Sequence, residues 1–525
     1  MPKVLIADKL SPAAVAIFKE RGVEADVKTG LPKEELLKIV DQYDGIAIRS
    51  ATKITADVIK AASNLKVVGR AGIGVDNVDI PAATAAGVIV MNTPFGNSIT
   101  TAEHAIAMMM ALSRRIPQAN ASTHAGKWEK SKFMGVELYG KTLGLIGCGN
   151  IGSIVADRAK GLKMHVVAYD PYLSPDRAKE LGVDKVELDD LLARADFITL
   201  HTPKTAETVN IINAAALAKT KKGVRIINCA RGGLIDEKAL KDALDSDQVA
   251  GAAIDVFPTE PAKEDILFGN EKVICTPHLG ASTTEAQENV AVQVAEQISD
   301  YLVTGAITNA LNMPSINAQE ATRVKPWIAL AEKLGSFAGQ VTETSITAVD
   351  ITYEGVPAGL NRRALTQAAI AGLLKPHMPE VNMVNAPIVA KERGIKVSEI
   401  ARDAQGVYDG IIVIKLTMPD MERTVAGTVY SNGEPRIIQI KGIDMDAEFA
   451  PNMIYITNED KPGFIGRLGS LLGENKVNIA NFNLGRTAPG QDAICVVDID
   501  GPVGDKVLAA IRKLPLVKHA IPLTF

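Results

Sequence analysis

Three side chains able to do chemistry stand in order along the middle of the chain: Arg231 in INCARGG, Glu260 in DVFPTEP and His278 in ICTPHLGAST. Hydride transfer to or from a carbinol carbon needs a partner that takes or gives the hydroxyl proton, and imidazole titrates in the right range. A carboxylate beside it orients the ring and stabilises imidazolium. An arginine holds a 2-hydroxy or 2-oxo acid by its carboxylate and polarises the carbonyl. Singly, each also fits a bland place: a solvated loop arginine, a turn glutamate, a strand-end histidine. One histidine among seven is no signal by itself. What precedes the three decides their meaning.

Upstream lies GCGNIG, residues 147–152, a complete G-x-G-x-x-G. A glycine-rich hexamer alone is weak, but this one ends the apolar run TLGLI and opens the helical pattern IGSIVADRAKGL. In that context Gly147 permits the tight turn, Gly149 lets backbone approach a pyrophosphate, and Gly152 allows close helix–strand packing. The anion would rest on the helix N-terminus, where N–H groups and the helix dipole favour it. The next strand, HVVAYDP, ends at Asp170, where a ribose-binding acid is expected. A carboxylate there would repel a 2′-phosphate, so the expected cofactor is NAD rather than NADP.

These loops need strands to end on. The run KTLGLIGCG, HVVAYDP, DFITLHTP, VRIINCARGG, GAAIDVF and KVICTPHLGA, with helical patterns between, predicts a parallel sheet with helices on its faces. Arg231, Glu260 and His278 then follow the C-terminal ends of its late strands, where open α/β sheets bind ligands. A first βα series precedes it, with VLIAD, ADVKT, GIAIRS, LKVVGRAG and VIVMNT as strands. Between the two runs ITTAEHAIAMMMALSRR as a helix, with Thr100 or Thr101 as its N-cap. After the long helical stretch TTEAQENVAVQVAEQISDYLVTG comes an expected linker, PSINAQEATRV, then the helix PWIALAEKLGSFAGQ. From about 345 to 450 the strands alternate polar and apolar residues, with a hairpin signal at SNGEP, which is α+β texture. The remaining ~75 residues read βαββαβ, the order of a ferredoxin-like domain.

The totals agree with this organisation. At ~150 residues per domain, 525 residues suggest three or four domains. A composition 47% hydrophobic and 22% charged is that of a globular chain, and a formal net charge of −4 without a basic block gives no sign of nucleic acid or a membrane surface. The opening MPKVLIADKL lacks a signal-like apolar core, and AIAMMMAL is too short to span a bilayer. The four cysteines are dispersed without CxxC or ligand spacing, so no disulfide framework or metal site is expected and a reducing, cytoplasmic setting fits.

Together NCARGG, DVFPTEP and TPHLGAST, after GCGNIG and YDP, resemble the D-isomer-specific 2-hydroxyacid dehydrogenase family over roughly residues 1 to 310. The segments IRSATKIT, VVGRAGIGVDNVDI, TTAEH and GKWEKSKFMG, with the C-terminal extension, point to its long phosphoglycerate-oxidising branch. The resemblance implies a substrate-binding domain at 1–97 plus 287–310, a Rossmann domain at 98–286, an intervening domain at 315–449 and an ACT domain at 450–525. It implies NAD-dependent oxidation of 3-phospho-D-glycerate to 3-phosphooxypyruvate, the first step towards serine, in a homotetramer.

By motif, the resemblance makes Arg231, Glu260 and His278 catalytic. It lines the NAD site with Gly147, Gly149, Asn150, Ile151, Gly152, Asp170, Thr202, Cys229, Ala230, Asp255, Gly280 and Ala281. Gly72, Ile73 and Gly74 would bring backbone N–H groups to the substrate carboxylate, with Asn92 near the hinge. Arg49 and Arg70 are expected on the phosphate, since guanidinium forks match phosphate oxygens. Lys130 or Lys132 would reach over as a third contact; the family commonly has an arginine in that region.

In the tail, NEDKPGFIGRLGSLL resembles the start of an ACT domain. Pro462 and Gly463 are expected to open a helix able to receive a carboxylate, and Asp460 to pair an amino group. By resemblance Asn458 and Asn478 complete an L-serine site. Alternatives are a glyoxylate or hydroxypyruvate reductase, which the early arginines and the tail argue against, and an NADH-sensing corepressor on the same fold. The latter usually carries a disordered partner-binding tail, whereas this chain ends in folded domains.

Overall fold

The computed structural model describes residues 1–316, 318–342 and 344–525; Asn317, within the expected linker, lies outside the described residues. Two compact units emerge, one of Met1–Asn92 with Val294–Phe525 and one of Thr93–Gln293. No helix among the described residues is long and apolar enough to cross a membrane.

In the first unit, strands β1 (Lys3–Ile6), β2 (Glu24–Val27), β3 (Gly45–Ile48), β4 (Val67–Arg70) and β5 (Ile89–Asn92) form a parallel sheet in the order β2-β1-β3-β4-β5. This is the flavodoxin-like order of doubly wound sheets. Its central strands are buried on both faces, so they read as continuous apolar runs rather than alternating ones. A Cβ on Gly69 would stand 2.5 Å from Ile298, so the small residue lets the C-terminal part of the helix Thr284–Thr304 lie against β4.

The second unit holds β6 (Thr142–Ile146), β7 (His165–Tyr169), β8 (Asp184–Lys185), β9 (Phe197–Leu200), β10 (Val224–Asn228), β11 (Val249–Ile254) and β12 (Val273–Cys275). All pair in parallel, in the order β12-β11-β10-β9-β6-β7-β8. The order reverses between β6 and β9, and that topological switch point is where such sheets open a crevice. The preceding helix spans Ser98–Arg114 and its cap is Asn97, so neither Thr100 nor Thr101 caps it. The Ser98 hydroxyl donates to the Pro94 carbonyl at 3.0 Å and the Thr101 hydroxyl to the Asn97 carbonyl at 3.0 Å. Both hydroxyls thus bond carbonyls to their N-terminal side, inside the first turns, instead of capping N–H groups ahead.

The rest of the first unit carries two further sheets. Strands β13 (Ala348–Gly355), β14 (Lys396–Arg402), β15 (Gly410–Thr417), β16 (Glu422–Val429), β17 (Pro435–Ile440) and β18 (Ile443–Glu448) run in the order β14-β13-β15-β16-β17-β18. Only the β13–β14 pair is parallel. The helix expected from Pro326 begins two turns earlier, spanning Ala318–Gln340 with Pro326 inside it. Buried Ala321 and Val324 on those extra turns give them packing that offsets the bond a proline removes. This helix meets Arg362–Leu374 almost backbone to backbone. A Cβ on Gly335, Gly339 or Gly372 would stand 2.0, 2.3 and 2.0 Å from a facing carbonyl oxygen. Finally β19 (Asn452–Glu459), β20 (Ile479–Arg486), β21 (Asp492–Ile499) and β22 (Val517–Thr524) form an antiparallel sheet ordered β20-β21-β19-β22. With the helices Phe464–Glu474 and Asp505–Arg512 this is the expected ferredoxin-like βαββαβ arrangement.

Candidate active site

Within the second unit, the loops after β10, β11 and β12 bring Arg231, Glu260 and His278 into one network. Asn228, buried at the end of β10, clasps the first loop: its Nδ2 donates to the Arg231 carbonyl at 2.9 Å, and its Oδ1 accepts from the Ala230 N–H at 3.1 Å. The Arg231 guanidinium donates to the Ala230 carbonyl at 2.7 Å. A Cβ on Gly232 would lie 2.0 Å from the Phe257 carbonyl, so only glycine lets this loop rest on the loop that carries Glu260. Glu260 Oε1 accepts from the Phe257 N–H at 3.0 Å, and Oε2 stands 2.6 Å from His278 Nδ1. A short bond to a carboxylate assigns the Nδ1 proton to the imidazole and leaves Nε2 as the ring atom that takes a proton. Both side chains remain partly open, 34% and 46% exposed, as groups that meet a substrate must.

His278 has φ 54°, a left-handed conformation uncommon for non-glycine residues. Asp255, 0% exposed, holds that turn. Its carbonyl accepts from the His278 N–H at 2.9 Å. Its carboxylate accepts from the Leu279 N–H at 2.7 Å, the Gly280 N–H at 2.9 Å and the Thr276 hydroxyl at 2.6 Å. His104 Nε2, from the helix Ser98–Arg114, stands 3.2 Å away. Burial alone would raise the Asp255 carboxyl, but hydrogen bonds from His104, Thr276 and the Leu279 N–H outweigh it and hold the group below the usual carboxylate range. Asp255, one of the residues expected to line the cofactor site, turns its oxygens to these groups and fixes the turn under His278. His104, Cys229 and Asp255 come within 4.8 Å of one another, a grouping hidden by their sequence spacing. Burial, with the Asp255 charge, pushes the Cys229 thiol up, which disfavours the thiolate that a metal ligand requires.

The glycine turn sits at the switch point. Gly147 has φ 90°, and a Cβ there would stand 2.6 Å from the His201 carbonyl at the end of β9. A Cβ on Gly152 would stand 2.2 Å from the Gly147 carbonyl, which packs the helix Asn150–Gly161 against the turn. Gly149 differs. It caps that helix without a side-chain bond and faces open space, so its lack of a side chain leaves the N-terminal N–H groups approachable. Asn150 is exposed and Ile151 half-buried beside them. Asp170 follows β7 and accepts from the Cys148 and Tyr172 N–H groups, each at 2.8 Å. Thr202, Ala230 and Ala281 are half-buried at neighbouring strand ends. An uncapped helix N-terminus, a clash-limited glycine turn and a strand-end carboxylate fit a dinucleotide.

In the first unit, buried Asp8 accepts from the Arg49 N–H at 2.6 Å and the Thr52 hydroxyl at 2.7 Å. Asn77 donates to the carbonyls of Arg49 and Thr52, both at 2.6 Å. These bonds tie the loop of Arg49 to the loop GRAGIGVDN. Arg70 lies over Gly72, whose Cβ would fall 1.6 Å from its Nη1. Asn92 donates to the Ile73 carbonyl at 2.7 Å, fixing the Gly72–Gly74 stretch. Asp8 and Asn77 were not singled out from sequence; the acid that ends the apolar run VLIAD was the available signal for Asp8. Lys130 and Lys132 are exposed on the second unit's turn Lys130–Phe133, with Lys132 4.0 Å from Glu271.

At the C-terminal sheet each expected effector residue has a local partner. Asp460 pairs with Arg486 at 2.9 Å and accepts from the Gly490 N–H at 3.2 Å; Arg486 and then that N–H hold its carboxyl below the usual range. Asn478 donates to Asp500 at 2.8 Å and Asn458 to the Glu459 carbonyl at 2.9 Å. Gly463 is the cap of the helix Phe464–Glu474, with φ 92°, and Pro462 precedes it, so the two lead in to the helix rather than forming its first turn.

Residues 106–280 match the D-isomer specific 2-hydroxyacid dehydrogenase NAD binding domain, 323–441 the D-3-phosphoglycerate dehydrogenase intervening domain and 452–516 the ACT domain. The chain is 47% identical over 522 residues to a D-3-phosphoglycerate dehydrogenase of Synechocystis, covering 99% of this chain and 94% of that one. It is 43% identical over 517 residues to the Bacillus subtilis D-3-phosphoglycerate dehydrogenase, covering 98% of each. Among solved structures, the Escherichia coli D-lactate dehydrogenase superposes with a TM-score of 0.54 at 30% identity, covering 59% of this chain and 100% of that one. The chain therefore belongs to the D-3-phosphoglycerate dehydrogenases, NAD-binding oxidoreductases of the D-isomer-specific 2-hydroxyacid dehydrogenase family.

Proposed function

We infer that this chain oxidises 3-phospho-D-glycerate to 3-phosphooxypyruvate with NAD, the first step of serine formation. One observation carries the catalytic assignment: the 2.6 Å bond from His278 Nδ1 to Glu260, on loops that also carry Arg231. Bound at the glycine turn, NAD supplies a hydride acceptor. Gly147, Gly149, Asn150, Ile151 and Gly152 receive its pyrophosphate, Asp170 its ribose, and Thr202, Cys229, Ala230, Gly280 and Ala281 line the remainder. Asp255 joins this lining and also holds the turn of His278. His278 Nε2 takes the hydroxyl proton while Glu260 steadies the imidazolium that forms. Arg231 holds the carboxylate and stabilises charge on the developing carbonyl oxygen. The N–H groups of Gly72, Ile73 and Gly74 share that carboxylate; Arg49 and Arg70 bind the phosphate, joined by Lys130 or Lys132.

The domain division proposed with this reading is substrate binding at 1–97 with 287–310, NAD binding at 98–286, an intervening domain at 315–449 and an ACT domain at 450–525. The ACT domain takes a small-molecule effector; L-serine, at Asn458, Asp460 and Asn478, is the proposed one, in a cytoplasmic homotetramer. The plain test is NADH formation from NAD with 3-phosphoglycerate or with D-glycerate, each with and without L-serine. Turnover strongly favouring the phosphorylated acid supports the assignment; equal use of both overturns the phosphate contacts, and serine without effect overturns the effector.

A further inference from the structure

The helix Ser98–Arg114 carries none of the candidate catalytic residues, yet one face of it lies along the catalytic turn. Residues three and four apart share a helix face. A Cβ on Gly280 would stand 3.4 Å from the Thr101 methyl carbon, His104 Nε2 stands 3.2 Å from Asp255 Oδ1, and the Met108 sulfur lies 3.9 Å from the Thr276 hydroxyl. Of these three helix residues only His104 titrates, and the reaction gives it no part. Its side chain is 18% exposed, and its Nε2 is buried with no other partner among the described residues. Asp255 needs such a neighbour. Wholly out of water, a carboxylate stays ionised only where donors and opposite charge meet it. The Thr276 hydroxyl and the Leu279 and Gly280 N–H groups are neutral donors. Beside those three, His104 is the neighbour that can bring positive charge. Burial pushes the carboxyl up, and the His104 bond comes first among what holds it below the usual range.

We propose that His104 is a positioning residue for the proton transfer: facing Asp255 with its Nε2–H, it keeps that carboxylate ionised, and the ionised carboxylate keeps His278 in place. A protonated Asp255 would present an O–H to backbone N–H groups that can only donate. The two residues directly after His278 would then lose bonds, and the left-handed backbone of His278, φ 54°, would lose its clasp. A reacting group displaced by about 1 Å costs on the order of 10²-fold in rate. The proposal rests on the assignment of His278 as the base.

The pH dependence of NADH formation in wild type, His104→Leu and His104→Gln tests this, together with hydrogen exchange over Leu279–Ala281. Leucine removes the donor, so kcat at neutral pH should fall about tenfold, with KM for 3-phosphoglycerate unchanged. The acid limb of kcat should move up by about one pH unit, the effect of losing an opposite charge beside a carboxylate. Glutamine returns an N–H to Asp255 and should recover most of both. A merely structural histidine would leave the limb where it is and treat the two substitutions alike. Exchange over Leu279–Ala281 should quicken about tenfold in His104→Leu, since local opening follows the bonds that hold a turn. That readout does not depend on turnover. Should His278→Ala prove active, the base assignment falls, while exchange still reports whether His104 holds the turn. Should His104→Leu not fold, Asp255→Asn decides: adding His104→Gln to it should cost nothing further. An unmoved acid limb, equal losses in the two His104 variants, wild-type exchange in His104→Leu, or a further loss on top of Asp255→Asn overturns the proposal.

Discussion

Two groups of candidate residues, one on the seven-stranded sheet and one on the C-terminal four-stranded sheet, differ in what their side chains hold. In the first, Glu260 is bonded to His278, and the chain spends buried groups (Asn228, Asp255) on keeping both loops in place. In the second, Asp460 is bonded to Arg486 and Asn478 to Asp500, so the residues expected to meet an effector are engaged with their neighbours. The candidate catalytic pair is already bonded within a single chain; Asp460 and Asn478 would have to exchange partners to meet an effector. Preorganisation is what catalysis draws on, because nothing then has to be rearranged at the moment of reaction. A regulatory site works through the reverse, since a ligand shifts a population only if it binds one arrangement better.

The largest departure from this contrast should come from Arg231. Arg231→Leu removes the carboxylate partner and charge on the developing carbonyl, and kcat/KM should fall about 10²–10³-fold by analogy with loss of an oxyanion donor. A fall of less than threefold would mean Arg231 is a solvated loop residue. Next is Arg49→Ala, expected to raise KM for 3-phosphoglycerate about tenfold or more while leaving KM for D-glycerate alone, since a charged hydrogen bond carries about 1.5–3 kcal/mol. An equal rise for both acids removes Arg49 from the phosphate.

Acid stability probes the scaffold behind the first group. Burial pushes the His201 imidazole down to about 4, while its Nε2 lies 2.9 Å from the Thr199 hydroxyl. The unfolded chain takes up that proton below about pH 6.5 and the folded chain only near 4, so stability is full above 6.5 and declines between those values. The loss amounts to at most about 3 kcal/mol. Urea unfolding of wild type and His201→Gln at pH 7.5 and 5 checks it: the wild type should lose more on acidification, and parallel losses would remove His201 from the account. The smallest effect belongs to the tail. Arg486→Gln frees Asp460, so serine should inhibit about two- to fivefold more tightly, the scale of an exposed ion pair, with basal kcat unchanged. Weaker inhibition would show that Arg486 itself holds the effector.

Sequence reading reached the sheets and the glycine turn because strand runs, turn residues and helix patterns are local and periodic. It passed over Arg362–Leu374, where Ala364 to Leu374 are all buried, leaving no polar face and hence no amphipathic stripe. Strand β14 was missed for the opposite reason: every residue is exposed, so no alternation marks it. The candidate catalytic residues stand out in the sequence by type and order. What positions them was not. The left-handed backbone of His278 and the inward turn of Asp255 are set by contacts between residues far apart in sequence, as are the clasps made by Asp8 and Asn77.

The central claim is that His278 and Glu260 act as one unit in moving the hydroxyl proton. A double-mutant cycle on kcat, with NADH binding measured by fluorescence in each variant, tests it most directly. His278→Ala should lower kcat about 10²–10⁴-fold, the usual weight of a general base, with NADH binding nearly unchanged. Glu260→Gln should cost a smaller factor alone and nothing further when His278 is already alanine. A His278→Ala enzyme with near wild-type kcat, or losses that simply multiply in the double variant, would contradict the account.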